Sequence, residues 1–269
     1  MRWLDALARK AQRAPDATVA ERMAEAYEAS KRGDYAAALE IWGPLAQAGV
    51  ARAQNNIGAC FSEALGVERD VALAAKWLTL AAENGDAIGR RNLAALCFRG
   101  EGVEQDYRRA FELYGAAAEQ GDGPAQDMLS WMLLEGEVAE VDYIGARRWA
   151  EAAAAQGIAP SMTRLGMIYH NALGIERDAA QAVDWWRRAA ERGDADGQAM
   201  LGAAYHLGAA VPRDPLEAFV WLTRARAGGS PLAGQFFLAV RAALSPEQIA
   251  QAESRAAEPL SVPEPKGAA

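Results

Sequence analysis

The sequence predicts an all-α solenoid of helix-turn-helix repeats, and three observations predict it. Stepping back 36 residues at a time from Gly229 meets Gly193, Gly157, Gly121, Gly85 and Gly49. The same step from Asp214 meets Asp178, Asp142, Asp106, Asp70 and Asp34. A fixed period of this length marks a stacked array, in which each unit buries its apolar face on its neighbours. Inside the clearest copy, residues 194–229, Gln198, Leu201, Gly202 and Tyr205 fall at i, i+3, i+4, i+7, and Ala218, Trp221, Leu222 and Ala225 repeat the spacing. Each set forms one buried helical stripe, so the unit is a pair of helices, A then B.

Taken in order, residues 1–14 (MRWLDALARKAQRA) place Trp3, Leu4, Leu7 and Ala11 on one helical face and Arg2, Arg9, Lys10 and Arg13 elsewhere. The apolar run is too short and interrupted for a secretory segment. An amphipathic end helix laid against the first repeat is the expectation, with peripheral contact to an anionic membrane as the alternative. Residues 15–49 make a shortened, divergent pair with Met23 and Tyr27 on its first helix, Gly33 and Asp34 in its link, and Ile41 and Trp42 on its second. Five regular pairs follow at 50–85, 86–121, 122–157, 158–193 and 194–229. In the last, Asp214 is placed to cap helix B ahead of Pro215, and Gly229 falls where a helix ends with positive φ. Residues 230–257 supply one more A-type helix, with Phe236, Phe237 and Val240, and then a short capping helix opening at Ser245-Pro246-Glu247. The tail 258–269, with Pro259, Pro263, Pro265 and Gly267, reads as disordered.

The links carry Gly100, Gly102 and Val103 in GEGVEQD, and Leu65, Gly66, Val67 and Asp70 in ALGVERD. With the Gln, Leu-Gly, Tyr, Trp and Ala-Ala positions around them, these residues resemble the SEL-1-like repeat, a relative of the tetratricopeptide repeat. The resemblance covers residues 50–229, with departures at Val138, Leu113 and Met162. It implies a right-handed α/α superhelix whose A helices line a concave surface, and a non-enzymatic scaffold or adaptor role in binding another protein or peptide.

Composition narrows the function. The net charge of −8 excludes a generic nucleic-acid binder, which needs a basic face to displace counterions from phosphate. The mean hydropathy is −0.15, and no apolar run approaches the length of a membrane span. Cys60 and Cys97 fall at core positions of the period. Secreted members of the resembling family can carry a cysteine pair in each repeat, a pattern missing here, so a reducing, cytoplasmic compartment is expected.

Some relatives are linked to β-lactam binding or hydrolysis, which makes a hydrolase the second reading. No Ser-x-x-Lys, Lys-Thr-Gly, Gly-x-Ser-x-Gly or His-Glu-x-x-His occurs, so no catalytic residue, metal ligand or cofactor is assigned. His170 and His206 are one period apart on successive A helices and are expected at the surface rather than as metal ligands.

Rotation away from the buried A stripe gives the candidate partner-binding face. It holds Asn55, Ala59 and Ser62; Arg91, Ala95, Phe98 and Arg99; Asp127, Trp131, Leu134 and Glu135; Thr163, Met167, His170 and Asn171; and His206. An arginine-bearing copy beside one with an acidic residue and an aromatic suits a peptide carrying a carboxylate and an apolar anchor. Six of the eight tryptophans, Trp42, Trp77, Trp149, Trp185, Trp186 and Trp221, fall in two adjacent helix B registers and are expected in the core. Trp131 is either an anchor on the face or groove packing.

Overall fold

The structure is a computed structural model that describes residues 18–136 and 138–260. The first fourteen residues and most of the tail therefore lie outside it. Among the described residues there are fourteen α-helices and no strand. They are α1 (Val19–Lys31), α2 (Tyr35–Gln47), α3 (Ala51–Glu63), α4 (Val71–Glu83), α5 (Ala87–Arg99), α6 (Tyr107–Glu119), α7 (Gly123–Glu135) and α8 (Tyr143–Ala155). Then come α9 (Ala159–Asn171), α10 (Ala179–Glu191), α11 (Ala195–Leu207), α12 (Pro215–Ala227), α13 (Gly234–Ala242) and α14 (Pro246–Ala257). The chain divides into two compact units, one up to Gln126 and one from Asp127. No composition shift in the sequence marks that division.

The periodic aspartates act as the spacing predicts. Asp70, Asp106, Asp142 and Asp178 each accept the amide three residues on, at 2.9, 2.9, 2.8 and 2.9 Å, opening α4, α6, α8 and α10. Their own amides return to helix A, as in Asp70 N–H to Phe61 O and Asp106 N–H to Cys97 O. One residue type thus closes the A–B link and starts helix B. The periodic glycines end helix B with φ between 82° and 88° at Gly49, Gly85, Gly121, Gly157, Gly193 and Gly229, a region costly for any residue with a Cβ. Where aspartate follows, as at Asp86, Asp122 and Asp194, it caps the next A helix.

A small residue in mid-helix A admits helix B of the same pair. A Cβ on Gly58 would stand 2.7 Å from Leu78, and one on Gly202 would stand 2.8 Å from Leu222. At Gly166 it would collide with the Trp186 indole. Buried glutamines tie α3, α7 and α11 to the preceding B helix, with Gln54, Gln126 and Gln198 donating to the carbonyls of Ala46, Ala118 and Ala190. In the first unit the core runs through Leu39, Trp42, Ile57, Phe61 and Trp77. In the second, Leu165, Ile168, Val183, Trp186 and Leu201 carry it, and Phe219, Leu222, Val240 and Ala252 close the C-terminal end.

That end is finished by α14, which lies against α12. Arg255 pairs with Glu217, and Arg224 donates to the carbonyl oxygens of Arg255 and Glu258 at 2.6 and 2.8 Å.

The tryptophan expectation holds only in part. Trp42, Trp77 and Trp186 are buried, but Trp149, Trp185 and Trp221 are half-buried. Guanidinium groups of Arg148, Arg188 and Arg224 cover them at 5.0, 4.6 and 5.9 Å. Trp77 shares their register and is buried, so register alone does not set the depth; where the covering is incomplete the large ring is sealed by an arginine.

Candidate functional site

The A helices of the first unit, α3 and α5, are laced together by polar side chains. Asn55 is buried, and its oxygen accepts from Asn92 at 2.9 Å. Arg91 reaches the Asp122 carboxylate at 3.1 Å, next to the amide which that aspartate caps. Phe98 meets the Tyr107 ring edge-on at 5.0 Å. Arg99 is exposed, 3.1 Å from Glu101. Between α3 and α5 lies a recess of about 250 Å³ lined by Ala59, Ser62, Asn92, Ala95 and Arg99 among others.

In the second unit the equivalent surface is built from α7, α9 and the start of α11. Asp127 on α7 receives the Ser161 hydroxyl and the Arg164 guanidinium of α9, each at 2.5 Å. Thr163 donates to Asp194 at 2.6 Å, and Ser230 to Asp196 at 2.6 Å. Trp131 and Glu135 line a recess of about 290 Å³ together with Leu134, Pro160, Thr163, Arg164, Met167, Leu173, Asp194 and Asp196. Trp131 is half-buried, Glu135 is exposed, and Met167 keeps 43% of its surface in solvent.

His170 packs against Trp186 with ring centres 5.4 Å apart and planes tilted by 50°, and Asn171 is exposed at the end of α9. His206 packs against Phe236 of α13 with ring centres 5.7 Å apart and planes tilted by 54°, its Nδ1 buried without a hydrogen-bond partner.

The structure therefore separates the predicted face residues into two groups. Asn55, Arg91 and Asp127 are engaged in ties between neighbouring A helices, so Arg91 is already matched with a carboxylate of this chain. Trp131 and Glu135 share a recess with Met167, and Arg99 lines the other. The rotation argument missed Pro160, Arg164, Leu173, Asp194 and Asp196, because a groove between helices also takes a long side chain reaching across it and residues from the link and from helix N-termini. Their signal was the period itself: Asp194 and Asp196 begin the next copy.

The hydroxyls and thiols have structural places. Ser130 and Ser161 are fully buried, and Ser130 donates to Ala146 O at 2.7 Å. Cys60 and Cys97 are unpaired and buried, and burial raises both thiols, that of Cys60 to about 11, which keeps them protonated at neutral pH. Among the described residues no cluster of three or more His, Cys, Asp or Glu is arranged to hold a metal. No helix among them is long and apolar enough to cross a membrane.

Paired helices at a 36-residue period, capped by aspartate and grooved between successive A helices, define an α-helical repeat protein. The Sel1 repeat model matches five times in succession, at residues 51–86, 87–122, 123–158, 159–194 and 195–230, and the chain belongs to the Sel1 repeat family. It is similar to the crystal structure of a Sel1 repeat protein from Oxalobacter formigenes, with a TM-score of 0.78 and 26% identity over 90% of this chain and 99% of that one. It is also similar to a protective antigen present in uropathogenic Escherichia coli strains that displays an SLR fold. That match has a TM-score of 0.48 and 23% identity, covering 95% of this chain and 70% of the other. No curated protein matches the chain.

Proposed function

We propose that this protein is a non-enzymatic scaffold or adaptor that binds a partner polypeptide on the surface of its A helices, the concave face of the repeat array. The observation that carries this reading is the pair of recesses, one in each unit, at A-helix registers whose residues differ between copies, Ala95, Trp131 and Met167 at one and Arg99, Glu135 and Asn171 at another, while the aspartates that cap helix B repeat. Positions released from the fold's own repeat are where a binding surface takes its chemistry. The buried, hydrogen-bonded Ser130 and Ser161 and the protonated, buried Cys60 and Cys97 support a reading without a nucleophile. The unpaired thiols also favour a reducing, cytoplasmic setting.

Affinity capture from the native lysate tests it, with the wild type beside Arg99→Glu and beside Trp131→Ala/Glu135→Lys. A protein held by the wild type and lost by at least one variant of unchanged circular dichroism and melting is the expected result. Specific retention of nothing, or of the same proteins by all three, sinks the reading.

A further inference from the structure

Resting on that reading, we propose that the recess of the second unit takes a cationic peptide segment, a Lys or Arg next to an apolar anchor. This inverts the sign that the sequence suggests for the partner. The expectation of a partner carboxylate at Trp131 needs a free guanidinium beside that ring, and the arginine lining this recess is held by Asp127. Arg164, the cation lining the recess, lies 2.5 Å from Asp127 with 14% of its side chain exposed. It therefore offers little positive charge to the opening.

What the opening presents is negative. Glu135 stands exposed on its rim, and Asp194 and Asp196 line it from the start of α11. The donors that hold these two aspartates are neutral. Thr163 hydroxyl and Gly197 amide reach Asp194 at 2.6 and 2.7 Å, and Ser230 hydroxyl reaches Asp196 at 2.6 Å. Such bonds fix both carboxylates without a neutralising cation; the positive end of the α11 dipole offsets part of their charge, and Glu135 belongs to α7 and not to that helix end. The chain's net charge of −8 adds a long-range field that draws cations in.

The floor is apolar and adaptable. Trp131 and Met167 supply the apolar lining beside the carboxylates, and a Lys or Arg head is favoured both by an aromatic ring and by negative charge. Met167, 43% exposed, is an unbranched thioether that reshapes around different side chains. At about 290 Å³ the recess lies at the lower edge of the range for small-molecule pockets, and fits one or two peptide side chains better than a metabolite.

The test measures fluorescence anisotropy on the full chain with three labelled probes. Each is a short peptide with a central Leu-Phe pair, flanked by Lys and Arg, by Gln, or by Glu. The cationic probe is expected to bind about tenfold tighter than the Gln probe, the Glu probe not at all, and added salt to weaken the first. Glu135→Lys, a change at an exposed position, is expected to cost about tenfold in affinity for the cationic probe with melting unchanged. Trp131→Phe retains most of that affinity and Trp131→Ala loses it.

Equal binding of the cationic and Gln probes overturns the proposal, as does unchanged affinity in Glu135→Lys. Displacement of the cationic probe by free spermine as effectively as by unlabelled peptide also overturns it, because charge alone would then be read. Self-association abolished by Glu135→Lys identifies a second copy as the occupant and overturns it as well. If the lysate partner is lost by Arg99→Glu and kept by Trp131→Ala/Glu135→Lys, the scaffold reading stands and this inference falls alone.

Discussion

The hairpins α7–α8 and α9–α10 occupy the same register one period apart, and they solve the same packing problem with different residues. In the first, Ser130 stands in mid-helix A, donates to Ala146 O, and the residue twenty further on is Ala150. In the second, Gly166 stands at that position and Trp186 fills the space opposite. One hairpin keeps its bulk on neither helix and seals the contact with a buried hydrogen bond. The other removes every side-chain atom from helix A to seat an indole. The period fixes which positions meet, and only their joint volume is constrained. The surface positions differ in the same way: Trp131 and Glu135 of the first correspond to Met167 and Asn171 of the second.

The strongest way to break this comparison is to add bulk to the second hairpin. Gly166→Ser drives a Cβ into the Trp186 ring and is expected to cost about 3 kcal/mol in urea denaturation. Trp186→Ala alone leaves a cavity and costs a similar amount. Combining them recreates the Ser130–Ala150 arrangement, so adding Gly166→Ser to Trp186→Ala is expected to cost far less than adding it to the wild type. An equal cost in both backgrounds would mean that the two sites are not coupled and that the complementarity is accidental.

A second change sharpens what holds adjacent A helices together. Arg164→Ala leaves the Asp127 carboxylate, 16% exposed, with the Ser161 hydroxyl alone, and is expected to cost about 2 kcal/mol. Arg108→Ala removes an i,i+4 pair of 87% and 67% exposed side chains and is expected to stay within about 0.5 kcal/mol. Similar losses from the two substitutions would show that burial of the α7–α9 pair contributes nothing.

These elements also show how far the sequence was legible. The 36-residue step placed the caps at Asp70, Asp106, Asp142, Asp178 and Asp214 and the turn glycines, because cap chemistry and positive φ are decided by single residues. It mislocated Trp149, Trp185 and Trp221, since periodicity gives a direction around a helix and not the depth at which the neighbouring helix stops covering it. On the candidate face, the sequence picked Trp131, Glu135 and Arg99 by rotation, and each lines a recess. It had no means of seeing that Arg91 and Asp127 are matched by Asp122 and Arg164. Pairing between helices depends on side-chain reach across a groove, and a one-dimensional pattern does not encode that distance.

The smallest expected effect concerns the end of helix A. Gly136 closes α7 with φ 69°, whereas Ala172 closes α9 in the same left-handed region at φ 57°. The Cβ of an L-residue crowds the following carbonyl there and costs roughly 1 kcal/mol, a strain that glycine avoids. The link after α9 bears this strain because Leu173 N–H still returns to Ile168 O at 3.1 Å, which holds the turn in its periodic geometry. Ala172→Gly relieves the crowding but widens the freedom of the unfolded chain, and the two effects oppose each other. Strain outweighs entropy in this region, so Ala172→Gly is expected to raise stability by about 0.5 kcal/mol, and Gly136→Ala to lower it by at least about 1 kcal/mol, since its Cβ would also displace the Val141 side chain. Thermal melts of the two variants check both signs. A loss of stability in Ala172→Gly would mean that the left-handed turn is held without strain, and that the alanine and glycine hairpins are equivalent at this position after all.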